Sequence, residues 1–217
     1  MVDPPGIQNP VLTAEDVTDR HARSVADPFL YNETGQWYMF MEVYARQAEQ
    51  GDIGLARSTD GLTWIYERIV LDEPFHLSYP YVFKYGNDYY MLPETYEKQE
   101  VRLYKSHNFP YDWKYFKTLI KGRDFVDPSI IFFDGQWWIF VGSSDRATLY
   151  LYYSDSPAGN WVEHPQSPLI RNDTSQARPG GRFFVYNRNQ VIRIAQGWGN
   201  GIRIRAFRVY ILNTVQY

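Results

Sequence analysis

Four carboxylates and two arginines stand at matched places along this 217-residue chain. Asp27 precedes Pro28 and Asp127 precedes Pro128, while Glu42 and Glu94 each follow an aromatic pair, Trp37-Tyr38 and Tyr89-Tyr90. Arg178 precedes Pro179, and Arg182 follows closely. Gathered in one cleft, such acids suit acetal chemistry. Glycoside hydrolysis needs a protonated acid at the leaving oxygen and a carboxylate acting as base or nucleophile. Crowding and burial push the two pKa values apart and so divide the roles. A nearby arginine would hold one acid ionised, or bind a substrate phosphate or carboxylate through its fork of donors. The same residues also fit structural roles. An aspartate before proline caps a turn, and Glu42 or Glu94 can pair with an arginine or a hydroxyl.

Convergence requires a scaffold, and the chain writes one as a repeat. Aligned on proline, Asp27-Pro28-Phe29-Leu30 matches Tyr79-Pro80-Tyr81-Val82, Asp127-Pro128-Ser129-Ile130 and Arg178-Pro179-Gly180-Gly181. The prolines are spaced by 52, 48 and 51 residues. Two more landmarks keep that period: an aromatic pair after a glycine turn (Gly35, Gly86, Gly135), and a closing tryptophan (Trp64, Trp113, Trp161). Each unit holds four short β-type runs parted by turn residues, and no segment has a convincing helical period. Four antiparallel strands in each of several repeats of ~50 residues predict an all-β fold, a β-propeller. The repeat units are 26–75, 76–123, 124–174 and 175–217, within a single domain spanning 1–217. Residues 9–25 offer a possible closing strand through Asn9-Pro10-Val11-Leu12; otherwise the ring has a blade missing or incomplete.

In a propeller the first strand of each blade lines the central channel. Proline suits its entry, where no ladder donor is needed. The residue before each proline then lies at the channel mouth, and the second strand of the hairpin returns there at Glu42 and Glu94. The equivalent place is Gly142 in the third unit and about Gln196 in the fourth. Hairpin geometry thus gathers Asp27, Asp127, Glu42 and Glu94 around one mouth, with Arg178 and Arg182 nearby. Asp27, Asp127 and Glu94 are the candidate catalytic acids. Glu42, Tyr79, Arg178, Arg182, His76 and Trp137 are candidate substrate contacts, and Tyr81 and Trp198 could also stack on a sugar ring.

Composition narrows the partners. Aromatic residues make up 18% of the chain, which suits pleated sheets or a ring-binding surface. A net charge of -3 gives no reason to expect nucleic acid. Without cysteine, disulfides, thiolate metal sites and a Cys nucleophile are excluded. The four histidines lack metal-ligand spacing, so neither metal nor other cofactor is expected. No signal peptide is visible in Met1-Val2-Asp3-Pro4-Pro5-Gly6, and no apolar run reaches the ~20 residues of a membrane span. A soluble, cytoplasmic protein without membrane insertion is the default expectation.

The first unit, Ala26-Asp27-Pro28-Phe29 with Trp37 to Glu42, resembles the opening blade of five-bladed furanosidase-type propellers, the superfamily of glycoside hydrolase families 43 and 32. A wider set of motifs comprises His76-Leu77-Ser78-Tyr79-Pro80-Tyr81-Val82-Phe83, Met91-Leu92-Pro93-Glu94-Thr95, Phe109-Pro110-Tyr111-Asp112-Trp113 and Ala177-Arg178-Pro179-Gly180-Gly181-Arg182. These are similar to the propeller domain on the N-terminal side of plant glucosamine inositolphosphorylceramide transferases and related bacterial proteins. By the hydrolase resemblance, Asp27 would be the general base, and Asp127 would orient and tune the acid. That family's acid is a glutamate one blade further on; here the slot holds Arg178, and no glutamate follows in the fourth unit. Glu94 could substitute from the neighbouring blade. The expected function is a glycosidase-like, carbohydrate-active protein. The alternative is a non-catalytic propeller that binds glycans or serves as an interaction scaffold. Its partner would be a carbohydrate or glycoconjugate, with homo-oligomers possible through an open blade edge.

Overall fold

A computed structural model describes residue 7 and residues 9–47, 49–197 and 202–209. The expected all-β propeller is present, with four consecutive antiparallel sheets as its blades. The first contains β1 (Ala22–Glu33), β2 (Gln36–Ala45), β3 (Gln50–Ser58) and β4 (Ile65–Leu71) in sequence order. The second contains β5 (Ser78–Tyr85), β6 (Asp88–Glu94), β7 (Glu100–Asn108) and β8 (Asp112–Lys121). The third contains β9 (Phe125–Phe133), β10 (Gln136–Ser143), β11 (Leu149–Ser154) and β12 (Val162–Glu163). The fourth has three strands among the described residues: β13 (Phe184–Tyr186), β14 (Gln190–Gly197) and β15 (Arg203–Val209). The fourth unit's expected run extends to Leu212, beyond the described residues, as do Trp198 and the Gly199–Gly201 turn. No described helix is long and apolar enough to cross a membrane.

Local chemistry explains the hairpins. In the turn after β1, Thr34 and Gly35 have φ of 52° and 89°; after β9, Asp134 and Gly135 have 52° and 78°. Two successive positive φ values match the right-handed twist of the flanking strands, so each pair of strands closes tightly.

The chain divides into two compact units, residues 1–91 with 104–114, and residues 92–103 with 115–217. In the first, strand residues Phe40, Ile53, Leu55, Val82, Met91 and Tyr104 are buried in one cluster with Leu77, which directly precedes β5. Trp113 closes that cluster edge-on to Phe40, with ring centroids 5.7 Å apart. A second cluster joins Met39, Met41, Val43, Ala56 and Trp64 to Leu12 and Val17. Asn9–Leu12 adopts no strand, and Leu12 is instead buried against the first blade, where Met41 and Trp64 provide an apolar face. In the second unit the core contains Trp138, Phe140, Leu149, Leu151, Ala177, Phe183 and Val191.

The repeated proline slot has a specific backbone form. In blade one the ladder jumps from Ala26↔Glu42 to Phe29↔Phe40, and in blade three from Val126↔Gly142 to Ser129↔Phe140. Asp27 and Asp127 therefore occupy the same β-bulge, two blades apart. Asp27, Tyr79 and Asp127 have φ of 48°, 50° and 50°, in the left-handed region that residues with a Cβ seldom enter. Bulges re-aim side chains and accumulate beside functional sites.

Candidate functional site

In the second unit the bulge aims Asp127 into a fully buried position, 0% exposed. An isolated carboxylate there would be costly, so its oxygens must be satisfied. Arg178 supplies two donors: Nε to Oδ2, and Nη2 to Oδ1 at 3.2 Å. This is the two-pronged pairing for which a guanidinium is shaped. Gln196 Nε2 also donates to Oδ2 and reaches the Pro179 carbonyl at 2.9 Å. Arg178 and Gln196 are held in register because the Gln196 N–H donates to the Arg178 carbonyl at 3.0 Å. Gly142 makes room for this arrangement: a Cβ there would stand 3.0 Å from Val126 Cγ2 and 3.3 Å from Pro179 Cδ.

Glu94 completes the centre from the end of β6. Its Oε2 accepts the Asp127 backbone N–H at 3.0 Å and lies 3.6 Å from Arg178 Nη2. Burial pushes its carboxyl well above the ordinary range, and the neighbouring Asp127 charge and a side-chain hydrogen bond to Asp127 add to the rise; Arg178 opposes it. One Glu94 oxygen thus accepts the main-chain N–H of Asp127, the residue whose charge helps to raise its carboxyl. The result is a buried network of one guanidinium, two carboxyl groups and one side-chain amide.

The structure thus brings Glu94, Asp127 and Arg178 together. Gln196 joins them; its repeat slot matched those of Glu42 and Glu94, and this shared place was the signal for it. Arg182, half-buried, follows Gly181, whose φ of 148° bends the chain between the Arg178 slot and β13. Trp137 does not belong to this centre. It pairs with Phe132, five residues along β9 from Asp127 and roughly 16 Å away at ~3.3 Å per residue. Its ring packs against Phe132 at 5.3 Å near the hairpin turn, far from where the sequence placed it.

The first unit holds Asp27, Glu42, His76 and Tyr79. Asp27 is half-buried in its bulge. Glu42 Oε1 faces His76 Nε2 at 3.7 Å. The Gly51 N–H donates to His76 Nδ1 at 3.0 Å, so the neutral ring carries its proton on Nε2, toward Glu42. Tyr79 is 2% exposed and its ring packs edge-on to Phe29, with centroids 4.7 Å apart. Its ring serves the core rather than offering a face to a sugar. Tyr81 is likewise buried, 5.3 Å from the Phe29 ring. Among the described residues, no group of three or more His, Asp or Glu side chains is placed to hold a metal ion.

Solved structures share this architecture at low sequence identity. A thermostable family-43 glycoside hydrolase superposes with a TM-score of 0.66 at 13% identity, over 87% of this chain and 72% of its own. An exo-β-1,3-galactanase from Phanerochaete chrysosporium, solved with β-1,3-galactotriose, gives 0.68 at 12% identity, over 85% and 46%. Curated plant proteins match in sequence. Glucosamine inositolphosphorylceramide transferase 1 of Oryza sativa subsp. japonica is 41% identical, over 97% of this chain and 30% of the plant protein. The protein of that name in Arabidopsis thaliana is 37% identical, over 97% and 29%. The chain therefore spans about a third of the length of these relatives. A family model matches residues 4–217, and the chain belongs to that family, described as glucosamine inositolphosphorylceramide transferase 1, N-terminal.

Proposed function

We propose that this chain is a carbohydrate-recognition propeller of a glycoconjugate-handling protein and does not itself cleave glycosides. The observation carrying this reading is the clamp on Asp127. Asp127, expected to orient and tune the acid, is fully buried and spends its oxygens on donors from Arg178 and Gln196, while the acid itself must reach a substrate oxygen. Glu94 is 4% exposed and engages Asp127. Fold neighbours titled as glycoside hydrolases support a carbohydrate ligand. The plant relatives' name, built on glucosamine and inositolphosphorylceramide, supports a glycoconjugate. Sugar recognition falls to the less enclosed acids, Asp27 and Glu42, with His76 beside them.

A second reading, hydrolysis, has one feature in its favour: burial and the Asp127 charge push the Glu94 carboxyl well above the ordinary range, the direction a general acid needs. One experiment separates the two. Binding to an immobilised glycan panel and turnover of aryl furanosides and pyranosides are measured for wild type and Asp27→Asn. Recognition predicts saturable sugar binding, weakened about tenfold or more by Asp27→Asn, with no turnover. Wild-type turnover that Asp27→Asn abolishes would establish the hydrolase instead. Failure to bind any sugar removes both readings.

A further inference from the structure

We infer that Tyr44 is the platform on which a neutral pyranose ring stacks, with the sugar hydroxyls reaching Glu42 and His76. This rests on the sugar-recognition reading above and names the ring that the site takes. Of the aromatic residues whose type suited sugar stacking, Tyr79 and Tyr81 are buried and Trp137 lies at the far end of a hairpin. No sequence motif marks Tyr44; the strand ladder does.

Side chains alternate along a strand, so Phe40, Glu42 and Tyr44 share one face of β2. Their partners on β3 are Leu55, Ile53 and Gly51. Toward the hairpin turn this face is core: Phe40, Ile53 and Leu55 are fully buried in one cluster. Met41 and Val43 belong to the other cluster, on the opposite face. Toward the end of β2 the first face opens, and Glu42 and Tyr44 are half-buried. Tyr44 pairs with Ser24 on β1 and Gly51 on β3, so neither adjoining strand sets a large side chain against its ring. Gly51 has a second effect. A Cβ there would stand 2.8 Å from His76 Cε1 and 3.0 Å from Glu42 Oε1, so glycine gives both groups room beside the phenol. The His76 ring lies 6.1 Å from that of Tyr44, and its Nε2 lies 3.7 Å from Glu42 Oε1.

This arrangement fits the two characters of a sugar. A β-pyranoside chair carries three parallel axial C–H bonds on one face, which suit the electron-rich face of an aromatic ring. Its hydroxyls project at the rim, where a carboxylate accepts an O–H strongly. A uronate or phosphate would instead meet the like charges of Asp27 and Glu42. Arg46, just past β2, has its Nε engaged by the Ala22 carbonyl at 3.3 Å.

Methyl β-D-glucopyranoside, methyl β-D-galactopyranoside and methyl β-D-glucuronide are titrated into the whole chain and followed by NMR of ligand and protein. At least one neutral glycoside should bind about tenfold tighter than the glucuronide, with its C–H protons shifted upfield by the ring. Tyr44→Phe keeps the platform and should bind like wild type. Tyr44→Leu should weaken binding about tenfold and abolish the upfield shift. Ser24→Leu, at an exposed position, should crowd the ring and weaken binding with the fold intact by circular dichroism. The wild-type proton shifts decide the matter even where Tyr44→Leu fails to fold. Unchanged binding in a folded Tyr44→Leu, unshifted C–H protons, or a glucuronide bound as tightly as the neutral sugars overturns the inference and leaves sugar recognition standing. So does a wild type that binds panel glycans but neither neutral glycoside. Failure to bind any sugar removes the recognition reading as well.

Discussion

Arg178→Met removes the clamp's charge while keeping an apolar stem of similar reach. Asp127 then loses both Arg178 donors and keeps Gln196 Nε2, with no exposed surface to recruit water. Removing one partner of a buried ion pair costs about 3–5 kcal/mol. The Arg178 side chain is 17% exposed, so its end of the pair is partly wet and the lower limit applies, about 3 kcal/mol. For a chain of this size that lowers Tm by roughly 6–12 °C. Urea unfolding near neutral pH measures the loss. The informative comparison adds Asp127→Asn, which removes the orphaned charge and whose asparagine accepts the φ of 50° at that position. The double variant should recover part of the stability, with a coupling of about 1–3 kcal/mol. A loss below about 1 kcal/mol, or effects that add within about 0.5 kcal/mol, would refute the view that the pair is buried and mutually dependent.

Two other perturbations test neighbouring parts of the structure. Glu94→Gln imitates the protonated acid. The wild-type carboxyl is held above its unfolded value of 4.5, so its contribution is complete below that value and is lost as pH rises through the folded pKa. Wild type should therefore lose stability relative to Glu94→Gln as pH rises from 4.5 toward the raised folded value, with the smallest difference at about pH 4; a gap that stays constant with pH would show that folding does not shift the Glu94 carboxyl. Gly51→Ala would set a Cβ 2.4 Å from the Leu77 carbonyl and 2.8 Å from His76 Cε1, where the backbone oxygen cannot step aside. A destabilisation of about 1–3 kcal/mol, together with a shifted His76 ring resonance, is expected. An unchanged Tm and an unmoved resonance would mean that this contact is slack.

The propeller was legible because its signals are local and repeated. Proline spacing, turn chemistry and aromatic pairs recur in each unit, and each reflects a preference of the chain within a few residues. The equivalence of the Asp27 and Asp127 slots was legible for the same reason; that the slot is a bulge inside the strand rather than its entry was not. The gathering of Glu94, Asp127 and Arg178 was anticipated in kind, but its internal state was not. Sequence spacing does not reveal that Gly142 admits Pro179, that Gln196 supplies a third donor, or that Asp127 reaches zero exposure. Those facts arise from side chains 51 and 69 positions from Asp127 along the chain. Tyr79 and Trp137 mark the same boundary. Their residue type suits sugar stacking, whereas packing against Phe29 and register opposite Phe132 assign them to the core and to the far end of a hairpin. By itself, then, the sequence determined the blades, the repeated slot and the acids and arginine that occupy it, because period and hairpin length are local properties. Only the tertiary structure decided that Arg178 clamps Asp127 and that the Glu94 carboxyl is pushed upward, because charge pairing and pKa depend on burial and on neighbours brought together across blades.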